Sequence, residues 1–179
     1  LMTAMVVLDG SPNLNAPISI SYDDVDMLRG SRSRLGVGSI ISREYALLLA
    51  LMSSENRAAH ALARHYPGGL SAFLAAMNIK AQALGMRDTH FKDPTGLASR
   101  NVSTANDLAK MVRAAHRYPL IREFSTTSDA IVDIGGRDLA YHNTNPLVNR
   151  FADPDDLIET VARDLRLRDL QLTPRSEEH

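Results

Sequence analysis

The sequence predicts an α+β chain, mostly helix with a small share of antiparallel strand. Three observations predict it. Apolar residues recur at helical spacing in several stretches that carry their own start and stop residues. Ile18-Ser19-Ile20-Ser21-Tyr22 alternates apolar and polar, which suits a short strand. Ala130-Ile131-Val132-Asp133-Ile134 and Leu139-Ala140-Tyr141 flank Gly135-Gly136, the signature of a β-hairpin.

In chain order, Leu1-Met2-Thr3-Ala4-Met5-Val6-Val7-Leu8 predicts a helix that starts upstream of Leu1, because no capping residue precedes it. Asp9-Gly10-Ser11-Pro12-Asn13 stops it. It has no basic n-region and no small-residue cleavage site, so it is no signal peptide. After the strand at Ile18, residues 23–38 are polar and Gly/Ser/Arg-rich and predict a long surface loop. Ser42 predicts the N-cap of a helix over residues 43–52, with Glu44 suiting its dipole. Ser53-Ser54-Glu55-Asn56 interrupts, and a second helix covers residues 57–65. A third fits residues 70–84, where Leu70, Phe73, Leu74, Met77, Ala81 and Leu84 share a face and Gly85 follows at the C′ position. Asp93-Pro94-Thr95-Gly96 is a turn. Ser103 predicts the cap of a fourth helix over 104–116, with Leu108, Met111, Val112 and Ala115 inward. Pro119 opens a short helix through Phe124. After the hairpin, Asp153 caps a last helix with Pro154 at its first position and Leu157, Ile158, Val161, Ala162 and Leu165 as its stripe. A polar, frayed tail follows from Leu172.

Composition excludes several functions. The 179 residues hold no Cys, which removes a disulfide framework, a thiolate zinc site and a cysteine nucleophile. Twenty basic against 21 acidic side chains give a formal charge of −1, with no electrostatic footprint for nucleic acid. The small basic cluster Arg29, Arg32, Arg34 lacks interleaved aromatics for stacking bases and reads as a solvated loop. No apolar run approaches the ~18 residues of a membrane span. No phosphate-cradling glycine loop and no H-E-x-x-H is present. His60 and His65 stand five apart, off a common helical face, and the histidines read as solvated or locally bonded imidazoles. The pairs Asp23-Asp24 and Asp155-Asp156 read as loop solvation and helix-dipole complement respectively. The expectation is no cofactor and no metal.

The informative segment is LLALMSSENRAAHALARHYPGG, residues 48–69. By spacing alone it is two helices joined by a serine-capped connector. It also closely resembles the S-x-N stretch of the penicillin-binding serine-type D-alanyl-D-alanine endopeptidase/carboxypeptidase family, with the motif at Ser54-Glu55-Asn56. Other stretches resemble that family in the same order. Leu1-Met2-Thr3-Ala4-Met5-Val6-Val7-Leu8-Asp9 is similar to the residues that follow its nucleophile motif S-x-x-K. Phe91-Lys92-Asp93-Pro94-Thr95-Gly96-Leu97 and Asn101-Val102-Ser103-Thr104-Ala105 are alike. Tyr141-His142-Asn143-Thr144-Asn145-Pro146-Leu147 is similar to the segment leading to its third motif, K-T-G.

The resemblance implies an acyl-serine mechanism on peptidoglycan cross-link peptides, sensitivity to β-lactams and a periplasmic location whose export signal lies upstream. It implies that Ser54 relays a proton and that Asn56 hydrogen-bonds the substrate and the motif lysine. It implies the serine β-lactamase/penicillin-binding DD-peptidase fold, of which this chain holds mainly the helical lobe and a small β-hairpin. Most of the central sheet then lies outside it, and apolar surface that normally packs there is left exposed. Residues 1–150 form the partial peptidase domain, and residues 151–179 a C-terminal helix and frayed tail. The three lysines, Lys80, Lys92 and Lys110, complete neither S-x-x-K nor K-T-G: Met77, Thr89 and Asp107 stand three before them, and Ala81, Asp93 and Met111 follow. The expectation is that this chain forms no acyl-enzyme by itself. The alternative is a non-catalytic remnant that binds a muropeptide or a partner through the Ser54–Asn56 groove, and acylation by a labelled penicillin separates the two.

Overall fold

The computed structural model describes residues 1–148, so the expected helix from Asp153 and the tail lie outside the described residues. Six helices and two antiparallel strand pairs make up these residues: α1 (Met2–Asp9), β1 (Pro17–Ser19), β2 (Ile40–Ser42), α2 (Arg43–Met52), α3 (Asn56–Arg64), α4 (Gly69–Ala83), α5 (Ala105–Ala115), α6 (Pro119–Thr126), β3 (Asp129–Asp133) and β4 (Asp138–His142). This is the α+β class.

Helix α1 is apolar nearly all round and is accordingly buried over Met2–Val7. It lies against α3, α4 and α5. Its one hydroxyl, on Thr3, is satisfied by donating to the Pro94 carbonyl at 2.6 Å. At its far end Lys80 Nζ donates to Asp9 Oδ2 at 2.7 Å and to Tyr118 Oη at 2.8 Å, joining α1 to α4 and to the residue before α6. Helix α2 contributes Ala46, Leu47, Leu49 and Met52 to the same core, and α3 contributes Ala58, Ala61, Leu62 and Ala63. The small alanines let α3 approach α2 and α4 closely. The T-shaped pair of Tyr66 and Phe73, 5.2 Å between centroids, closes the α3–α4 corner.

Ser42 caps α2 as expected, its Oγ accepting from the Tyr45 N–H at 3.1 Å. Ser42→Ala is expected to cost about 1 kcal/mol, read as a Tm lower by about 2–4 °C in a thermal melt. Gly85 takes the left-handed φ of +71° that ends α4.

Several expectations need correction. The strand at Ile18 is only three residues long, because Ser21 and Asp24 cap each other's backbone in a 3₁₀ turn over Tyr22–Asp24. Its partner β2 lies inside a stretch with no strand expectation, with Ile18 opposite Ile41. The loop over residues 23–38 is not uniformly solvated: Asp24 and Leu35 are buried. Helix α3 starts at Asn56 rather than Arg57, and α4 at Gly69 rather than Leu70. Thr104, not Ser103, caps α5, with Oγ1 accepting from Asp107 N at 3.2 Å. Leu108 is exposed, because buried Asp107 turns inward to accept from Asp88 N, Thr89 Oγ1 and Lys110 Nζ. The hairpin forms in the expected place, with Ile131 opposite Ala140.

Ile40, Ile79 and Ile131 are among the exposed large apolar side chains. No helix among the described residues is long and apolar enough to cross a membrane.

Candidate active site

The site is built at the break between α2 and α3. The break exists because Ser54 takes a left-handed φ of +54°, rare for a residue with a Cβ. The turn lets both Ser53 N and Glu55 N donate back to the Leu49 carbonyl at 3.1 Å, closing α2. The Ser54 side chain is thereby turned out of the helical run and does not cap α3. Glu55 does that instead, Oε1 accepting from Arg57 N at 3.3 Å.

The Ser54 hydroxyl lies 3.1 Å from Thr144 Oγ1. Thr144 itself is docked on the end of α2, its N–H donating to the Met52 carbonyl at 3.0 Å. Asn143 fixes that segment from the other side by donating to the carbonyls of Ser125 and Thr127 at 3.0 and 2.8 Å. Asn56 opens α3 and donates from Nδ2 to Ser31 Oγ at 3.0 Å. Ser54 and Asn56 are not bonded to each other. They line one hollow of about 280 Å³, together with Leu1, Thr95 and Ser125.

Thr95 is carried by a tightly specified loop. The Asp93 carboxylate accepts from Thr95 N at 2.6 Å, Gly96 N at 3.1 Å, Ala98 N at 2.9 Å and Asn101 Nδ2 at 2.8 Å. Partial burial pushes its pKa up, but hydrogen bonds from the Thr95 hydroxyl and from the N–H groups of Ala98, Thr95 and Gly96 outweigh that and hold it below the usual carboxylate range.

Behind Asn56, the α3 face carries a buried charge cluster. Asp24 is fully enclosed and accepts from Ser21 N at 2.8 Å, from Arg64 Nη2 at 2.9 Å and from Arg64 Nε at 3.2 Å, and bonds His60 Nδ1 at 2.8 Å. Burial pushes this carboxyl up, and the bonds from His60, Arg64 and Ser21 overcome it to hold the pKa at about 2. His60 is thus held by a distant carboxylate, whereas His65 is locally bonded, to the Ala61 carbonyl at 2.9 Å. Asp24, expected to be solvated, is instead what pins the 3₁₀ turn to α3.

Sequence reasoning assigned roles to Ser54 and Asn56 and none to Thr144, Ser31 or Thr95. Thr95 and Thr144 do lie in stretches that resemble the family, but their place beside Ser54 depends on packing between distant segments.

Residues 1–160 match the family of D-alanyl-D-alanine carboxypeptidases. The chain belongs to this family. A D-alanyl-D-alanine endopeptidase of Pseudomonas aeruginosa is 51% identical over 151 residues, covering 83% of this chain and 49% of that protein. The Streptomyces K15 DD-transpeptidase has a similar structure, with TM-score 0.75 and 28% identity, covering 84% of this chain and 64% of that one. The chain therefore spans about half the length of the endopeptidase relative it matches. A stretch of 31 residues, 17% of the chain, is 97% identical to a D-erythrulose 1-phosphate 3-epimerase of Brucella abortus and covers 10% of that protein. A tenth of an enzyme carries no argument about activity.

Proposed function

We propose that this chain is part of a D-alanyl-D-alanine endopeptidase/carboxypeptidase of the periplasm that acts on peptidoglycan cross-link peptides through an acyl-serine, and that Ser54 and Asn56 are its S-x-N pair. One observation carries the reading: Ser54 and Asn56 share their hollow with Leu1, the residue that by resemblance follows the S-x-x-K motif. A serine and lysine preceding Leu1 would therefore enter the same hollow. There the serine attacks the D-Ala carbonyl, and the lysine is the proton acceptor. Ser54 relays the proton, since its exposed hydroxyl can both accept and donate. The Asn56 amide orients the lysine and the substrate backbone.

Within residues 1–179 no Ser-x-x-Lys and no Lys-Thr-Gly occurs. The 179-residue chain is expected to stay unmodified when incubated with a fluorescent penicillin, by intact mass. The same residues, carried in a polypeptide with Ser-x-x-Lys directly before Leu1 and Lys-Thr-Gly after Arg150, are expected to gain one penicilloyl group. A covalent adduct on the 179-residue chain overturns the placement of the nucleophile. A longer polypeptide that folds and yet gains none overturns the enzyme reading in favour of muropeptide or partner binding alone.

A further inference from the structure

A second hollow, of about 430 Å³, opens on the other side of Glu55. Arg32, Ser33, Arg34, Ser53, Glu55 and Tyr141 line it. Glu55 also lines the hollow that holds Ser54 and Asn56, so the two are neighbours across one side chain.

Its floor is polar and under-satisfied. Tyr141 is 1% exposed, and its hydroxyl has no hydrogen-bond partner among the described residues. A buried tyrosine hydroxyl ordinarily finds one. Burial and the nearby Glu55 carboxylate both push the phenol pKa up, against the pull of Arg34, so the group stays protonated. Glu55 is 8% exposed, and its carboxylate has a single bond among the described residues, from Arg57 N. Neither Arg32 nor Arg34 forms an ion pair with it among the described residues.

The rim is cationic and partly fixed. The Arg34 guanidinium lies 4.3 Å from the centre of the Tyr141 ring and donates to the Ala140 carbonyl. That leaves most of its donor fork unused. Arg32 is exposed and makes no hydrogen bond among the described residues.

A hollow lined by a buried carboxylate, an unpaired buried hydroxyl and two guanidiniums matches a ligand that carries both charges. We propose that this hollow binds the zwitterionic head of a free amino-acid unit: its ammonium against Glu55 and the Tyr141 hydroxyl, its carboxylate against Arg32 and Arg34. An anion alone leaves Glu55 facing a like charge. A cation alone leaves the two arginines unused and repelling it. The inference stands apart from the acyl-serine reading, because binding here involves no nucleophile.

The test uses the 179-residue chain and D-alanine as probe, with N-acetyl-D-alanine lacking the ammonium and D-alaninamide lacking the carboxylate. Isothermal calorimetry or chemical-shift titration is expected to give saturable D-alanine binding with Kd on the order of 1 mM. Each control is expected to bind at least about tenfold more weakly, one lost charge-assisted hydrogen bond. Glu55→Gln keeps the amide oxygen that can accept from Arg57 N, so the cap survives while the charge goes. It is expected to lose the preference for D-alanine over N-acetyl-D-alanine without a change in Tm. Arg32→Ala, at an exposed position, is expected to lose the preference over D-alaninamide. Equal binding of N-acetyl-D-alanine, or chemical shifts at Tyr141 and Glu55 that do not move with D-alanine, overturns the proposal.

Discussion

Asp24→Asn is expected to lower the stability of the chain by about 3 kcal/mol at pH 7, since it unpairs a buried charge cluster. In a thermal melt that corresponds to a fall of about 6–12 °C. Asp24 is the common acceptor for Ser21, His60 and Arg64, and its side chain is fully enclosed, whereas His60 and Arg64 are 21% and 26% exposed. The carboxylate therefore concentrates the attraction, and its removal leaves a partly buried guanidinium without its ion-pair partner. The pH dependence has a definite sign. The folded pKa, about 2, lies below the value of about 3.9 in an unfolded chain. The stabilisation is therefore complete above about pH 4–5 and is lost as pH falls through the folded pKa. About 2.6 kcal/mol is titratable in this way, and about half of it is gone by pH 3. The stability gap between the wild type and Asp24→Asn in urea melts should accordingly narrow by about 1 kcal/mol between pH 5 and pH 3. A gap that stays constant over that range assigns the effect to packing and removes the charge argument.

Most helices were legible because short-range residues mark at least one of their ends. Ser42 before Arg43, Pro119 at the first position of α6 and Gly85 after α4 are short-range signals, and all three act in the structure. The hairpin was legible for the same reason, through Gly135-Gly136. What was not legible depends on partners far along the chain. β2 is three residues long, too short for a periodicity, and exists only because Ile18 pairs with Ile41. Leu108 has the spacing of an inward residue but yields to Asp107, whose partners Asp88 and Thr89 belong to another segment.

The site divides in the same way. Ser54 and Asn56 were assigned through likeness to a family, not through physics, since their spacing equally suited an ordinary helix connector. The left-handed φ at Ser54 and the hydroxyl of Thr144, 90 residues away, carry no local signature. Asp24 did have one: Ser21 stands three residues before it, the spacing of a capping box, which marks a turn held by its own carboxylate.

Ser54→Ala, in a full-length polypeptide that carries the two other motifs, is expected to slow acylation by penicillin about 10²–10³-fold, or ~2.7–4 kcal/mol of barrier. Its stability should change far less, because the exposed hydroxyl loses one bond, to Thr144, worth about 1 kcal/mol. A second variant separates relay from scaffold. At φ +54° any residue with a Cβ carries about 1–2 kcal/mol of strain that glycine does not. Ser54→Gly is therefore expected to melt at or above the temperature of Ser54→Ala while acylating no faster. If the hydroxyl served only to hold the α2–α3 junction, the two variants would differ in acylation as they differ in stability. Stopped-flow acylation at pH 7, beside melting curves for both proteins, distinguishes these outcomes. An acylation rate restored in Ser54→Gly, or unaltered in Ser54→Ala, removes Ser54 from the proton path.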